Sequence, residues 1–132
     1  MGREGRGGDV ALTGTPLVDS LPTAVRAEWR SLAAPTPVPV IFDPDAVAAL
    51  PAAARRWCTH AIAPGTPLLR TVELHMHGEI KLGSWRPFDA VQILAPPLGF
   101  IWAARTRIGP LVVRGFDRFS NGTGEMRWRP ST

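Results

Sequence analysis

Leu68-Leu69-Arg70-Thr71-Val72-Glu73-Leu74-His75-Met76-His77-Gly78-Glu79-Ile80-Lys81-Leu82 alternates in character along the chain. Leu68, Val72, Leu74, Met76, Ile80 and Leu82 fall on even positions, and Thr71, Glu73, His75, His77, Glu79 and Lys81 on odd ones. A period of two puts one set of side chains on each side of a pleated strand. The segment therefore reads as a long β-strand or a tight hairpin with one dry face and one wet face.

The pattern continues downstream over Phe88 to Ala95, Gly99 to Ile108, Pro110 to Phe119 and Gly124 to Arg129. Pro96-Pro97-Leu98-Gly99, Gly109-Pro110 and Asn121-Gly122-Thr123-Gly124 are turn signals between them. Short connections imply that sequential strands pair. Phe100, Trp102, Ala104 and Ile108 share one parity and Arg105 and Arg107 the other, as Met126 and Trp128 oppose Glu125, Arg127 and Arg129.

Upstream, Thr23 to Leu32 reads as a helix capped by Thr23, with Val25, Trp29 and Leu32 forming an apolar stripe at i, i+4 and i+7. Asp43-Pro44 opens a turn or short helix to Leu50, because Asp43 can cap and a proline loses nothing at the first helical position. A further helix spans Ala52 to Ile62, where Ala53, Trp57, His60 and Ala61 share a face; Pro64-Gly65 stops it. Pro35 to Pro39 reads as an extended spacer. Residues 1–22 mix Gly, Pro, Thr and charge without a period, which predicts a disordered arm.

These elements predict an α+β fold: a curved, half-barrel-like antiparallel sheet of about five or six strands with one to three short N-terminal helices. Residues 23–132 form one domain with its core at 44–129, in keeping with a 132-residue chain and domains of about 100 to 200 residues. The helix Ala52 to Ile62 is expected to cross the apolar face. Val72, Leu74, Met76, Phe100, Trp102, Met126 and Trp128 should then be buried, and His75, His77, Arg105, Arg107, Arg127 and Arg129 exposed.

The basic residues are 14 Arg and one Lys, the formal charge is +4 and Tyr is absent. Heavy use of Ala, Pro, Gly and Arg matches a GC-rich coding sequence, which weakens the inference from high pI to a nucleic-acid partner. By parity, moreover, the tryptophans oppose the arginines instead of interleaving with them on one surface, so no nucleic acid is favoured. Cys58 is the only cysteine, so neither an intrachain disulfide nor a cysteine-based zinc cage forms. The first residues lack the apolar stretch of a secretory signal, and Val91 to Ala104 is too short and too broken by proline to span a bilayer. A soluble, cytoplasmic protein is expected.

Candidate chemistry is sparse. Glu73, His75 and His77 project from one side of one strand, about 7 Å apart at each step of two, so the histidines can share a metal ion if a third ligand arrives from elsewhere. Cys58 and His60 lie two apart on a helix and diverge, and the serines lack a nucleophile-elbow context. Gly122 and Gly124 belong to a hairpin turn, since no helix follows them. No catalytic residue and no cofactor is assigned.

Leu50-Pro51 with Arg55-Arg56-Trp57, Gly83-Ser84-Trp85-Arg86-Pro87-Phe88-Asp89-Ala90-Val91-Gln92, Gly99-Phe100-Ile101-Trp102-Ala103-Ala104, Asp117-Arg118-Phe119 and Gly122-Thr123-Gly124-Glu125-Met126 together carry a resemblance. Over roughly 44–129 the chain resembles an uncharacterised bacterial family known as a domain of unknown function. The resemblance implies no activity and no catalytic residue; it implies that the chain is a truncated copy of longer members.

Three functions remain open. The favoured one is a noncatalytic binding module holding an apolar, lipid-like ligand on the concave sheet face, with Trp85, Phe88, Phe100, Trp102, Met126 and Trp128 as its lining, because the dry face is larger than two short helices can cover. The second is a metal-dependent hydrolase built on Glu73, His75 and His77. The third is an interaction protein whose edge strand Gly124 to Arg129 recruits another chain, including a second copy of itself.

Overall fold

The computed structural model describes residues 16–35 and 38–131. Two short strands, β1 (Val40–Ile41) and β2 (Pro67–Leu68), pair antiparallel. They bracket helix α2 (Ala52–Ala61), while helix α1 (Thr23–Leu32) precedes them. The body of the molecule is a five-stranded antiparallel meander in sequential order: β3 (Val72–Leu82), β4 (Ser84–Ala95), β5 (Gly99–Ile108), β6 (Leu111–Ser120) and β7 (Thr123–Ser131). The architecture is α+β, with an open sheet whose outer strands β3 and β7 do not pair.

The long alternating stretch is not one strand. Leu68 belongs to β2, the chain breaks at Leu69 to Thr71, and β3 begins at Val72. Gly83, at φ 74°, then reverses the chain between Leu82 and Ser84. Strand β4 accordingly starts at Ser84, four residues ahead of the expected Phe88, and Pro87 lies within it opposite Glu79. Proline has no N–H to give a ladder, and the β4–β5 pairing ends one residue away, at Phe88 opposite Thr106. There the Thr106 hydroxyl donates to the Pro87 carbonyl at 2.8 Å. Strand β7 likewise runs on past the expected end at Arg129, with Pro130 opposite Val113 on an outer strand that can spare one donor.

Residues opposite one another in register project from the same face. One face centres on Val91, Ile93 and Ala95 of β4, Ile101 and Ala103 of β5 and Phe116 of β6, and α1 lies across it through Val25, Trp29 and Leu32. Leu17 and Leu21 complete this core. Of the expected N-terminal arm, residues 1–15 lie outside the described residues; Val18–Ser20 form a 3₁₀ turn, and the packing of Leu17 and Leu21 moves the boundary of any arm to before residue 17. Thr36 and Pro37 of the expected spacer also lie outside them. Helix α1 starts behind Pro22 with no side-chain cap, so Thr23 does not cap it, whereas Asp43 does accept from the Asp45 N–H at 3.0 Å.

Two packing expectations are corrected. Helix α2 touches the Pro44–Val47 turn and buries no residue, with Trp57 68% exposed; it does not cross the sheet. The helix that does cross it is α1, and it covers the face that carries His75, His77 and the arginines. Val72 and Met126 are exposed, Leu74 borders on it, and Met76, Phe100, Trp102 and Trp128 are half-buried, while Arg105 is largely sequestered. The two sets do lie on opposite sides. The reason the covered side differs is that β4 and β5 are apolar at both parities, so the centre of the polar-edged face is as greasy as the centre of the aromatic one.

Candidate functional site

The uncovered face is built from small residues beside large ones. Ala90, Ala104 and Gly115 follow one another across β4, β5 and β6 in one cross-strand row that ends at Trp128 of β7. A Cβ at Gly115 would fall on the Trp128 ring and the Arg127 carbonyl, so glycine there is what lets the indole lie flat across β6. The Trp128 indole N–H donates to Asp117 Oδ1 at 2.9 Å, which fixes the ring. Trp102 packs against it at 5.7 Å between centroids, and Phe88 against Trp102 at 6.5 Å, both tilted as aromatic pairs prefer.

These rings wall a groove of about 310 Å³ lined by Ile80, Leu82, Phe88, Trp102, Ala104, Arg105, Thr106, Val113 and Trp128, and the surface it exposes is apolar. Ala104 and Thr106 are 2% and 4% exposed and form its floor. The lining runs from the first strand of the sheet to the last. The Trp128 indole lies across β6 towards Trp102 of β5, so that side chains of both outer strands wall one groove. A wider, shallower depression of about 620 Å³ adjoins it, lined by Gln92, Phe100, Trp102, Asp117, Arg118, Gly124, Glu125 and Met126. Trp102 is common to the two.

Of the expected lining, Phe88, Trp102 and Trp128 converge on the groove, and Phe100 and Met126 border the neighbouring depression. Trp85 does not join them. It stands opposite Lys81 on the other face and is 62% exposed, because its odd position in β4 points it away. Ile80, Leu82, Ala104, Thr106 and Val113 were not foreseen. Their signal is cross-strand register, which aligns small residues into a floor and which no single strand reveals.

Among the described residues of the five strands, two charged side chains have the parity of this face, Arg86 and Asp117. Asp117 holds Trp128, and the Arg86 Nε is buried without a partner. On the opposite face, His75 Nε2 and Glu73 Oε1 meet at 3.1 Å on an exposed stretch of β3, and His77 follows along the same strand. Among the described residues no group of three or more His, Cys, Asp or Glu side chains is disposed to hold a metal ion. Glu79, Glu125 and Asp117 do not supply the third ligand that a site on Glu73, His75 and His77 needs.

An ion-pair chain ties α1 to the sheet. Arg118 bonds Glu28 of α1 at 2.6 Å and Glu125 of β7 at 2.8 Å, and Glu125 also receives Arg127. The hydrogen bond from Arg118, with added attraction from Arg127, holds the Glu125 carboxyl below the usual glutamate range, and Glu125 in turn raises Arg118.

A family model described as a family of unknown function (DUF6544) matches residues 40–131. No curated protein and no solved structure matches the chain. No helix among the described residues is long and apolar enough to cross a membrane.

Proposed function

The chain belongs to that family of unknown function, and from the open sheet face we propose that it is a noncatalytic binding module for an apolar, lipid-like small molecule such as an acyl chain. One observation carries the reading: a groove of about 310 Å³ with an apolar exposed surface, walled by three aromatic rings, lies on a face that neither helix covers. Its size falls at the lower end of small-ligand pockets, about 300 to 1,000 Å³. Exposed apolar surface of this extent is costly in water unless something occupies it. Arg86, a cation with the parity of this face whose Nε has no partner among the described residues, is available to an acidic head group on such a ligand. Native mass spectrometry of the purified chain, before and after organic extraction, tests the reading. A copurifying apolar mass removed by extraction and restored by added palmitate is expected; a chain that carries no ligand and takes up no palmitate contradicts it.

A second reading rests on the sheet edges. Strand β7 pairs only with β6 and β3 only with β4 among the described residues, so each leaves one edge open to strand addition by another chain. Sedimentation equilibrium decides: a concentration-dependent dimer supports it, and a monomer throughout the accessible range removes it.

A further inference from the structure

On the α1 face, three arginines stand in one cross-strand row: Arg105 of β5, Arg114 of β6 and Arg129 of β7. Like charges directly opposite one another repel, so such a row needs compensation. Arg105 has it, in Asp89 at 3.1 Å. In the next row Arg127 shares Glu125 with Arg118 and lies over the Phe116 ring at 5.7 Å. Arg114 and Arg129 have no carboxylate partner among the described residues, and the Arg114 Nε is buried without an acceptor. A buried charge-bearing N–H left without a partner is costly.

These same side chains meet at a cavity. Arg114, Arg127 and Arg129 line a pocket of about 250 Å³ closed on its other side by Ser20, Leu21 and Pro22, the segment that leads into α1. We infer that this pocket is an anion site for the phosphate group of a small phosphorylated ligand. Guanidinium groups suit it because each presents paired N–H donors in a plane that matches two oxygens of a phosphate, and the unused Nε of Arg114 supplies a donor already withdrawn from water. The site lies on the opposite side of the sheet from the apolar groove and stands independently of it.

Inorganic phosphate titrated calorimetrically into the full chain at constant ionic strength tests the assignment, with chloride and a short single-stranded oligonucleotide as comparisons. Saturable binding of one phosphate and a rise in thermal midpoint with phosphate but not chloride are expected. Arg114→Gln should weaken phosphate by roughly tenfold or more while leaving the phosphate-free midpoint unchanged or raised, since it relieves repulsion within the row. Arg129→Gln, at the exposed end of the row, should weaken it in the same direction and guards against a misfolded Arg114 variant. Absence of saturable binding, or variants that bind phosphate as tightly as the parent chain does, overturns the proposal. Oligonucleotide binding far tighter than phosphate, with a steep salt dependence, overturns it in favour of a nucleic-acid surface.

Discussion

Trp29 and Trp57 occupy equivalent places in sequence, each on the apolar stripe of a ten-residue helix, yet Trp29 is 5% exposed and Trp57 68%. Truncation should separate them. Trp29→Ala is expected to cost about 3–5 kcal/mol by chemical denaturation, the usual loss for a large buried ring, and Trp57→Ala no more than about 0.5 kcal/mol. The stripe says which side of a helix is apolar but not which surface receives it, so this difference was not legible in the chain. At Gly115 the constraint is sharper, because a Cβ there meets backbone as well as the Trp128 ring. Gly115→Ala should destabilise by about 1–3 kcal/mol, as overpacking does, and weaken the near-ultraviolet circular dichroism of the Trp102–Trp128 pair.

Strands and turns were largely legible because alternation and turn residues are local signals: three of the four hairpin connections of the meander fall where Pro96 to Gly99, Gly109-Pro110 and Asn121 to Gly124 place them, whereas the first turns at Gly83, ahead of the expected strand start at Phe88. Which helix covers which face was not. Val91, Ile93, Ile101 and Ala103 compete with Ala90, Leu94, Phe100 and Trp102 for the core, and only the docking of α1, with Leu17 and Leu21 ahead of it, settles the outcome. The Glu28–Arg118–Glu125 chain is part of that docking. Because the Glu125 pKa is lowered in the folded state, its contribution is present above the unfolded glutamate value, about 4.3, and is lost as pH falls through the folded value. Glu125→Gln should therefore flatten the fall in stability between about pH 5 and pH 3, measured as denaturation midpoints across that range. A variant whose acid sensitivity equals that of the parent would show that the pair contributes nothing to α1 docking.

The molecule is a sheet with one face closed by its own helix and the other left with an aromatic-walled groove. That asymmetry is the functional claim, and it accounts for an aromatic row, Phe88, Trp102 and Trp128, that packs on itself without sealing the surface. Titration of a fluorescent fatty acid into the parent chain, Trp102→Ala and Val113→Arg tests it most directly, with far-ultraviolet circular dichroism confirming that each remains folded. Saturable binding of one probe per chain is expected, weakened by roughly tenfold or more in both variants, through loss of a wall in one and a charge in an apolar groove in the other. A parent chain that binds no probe, or variants that bind it as well as the parent does, would show that the open face is not a ligand site.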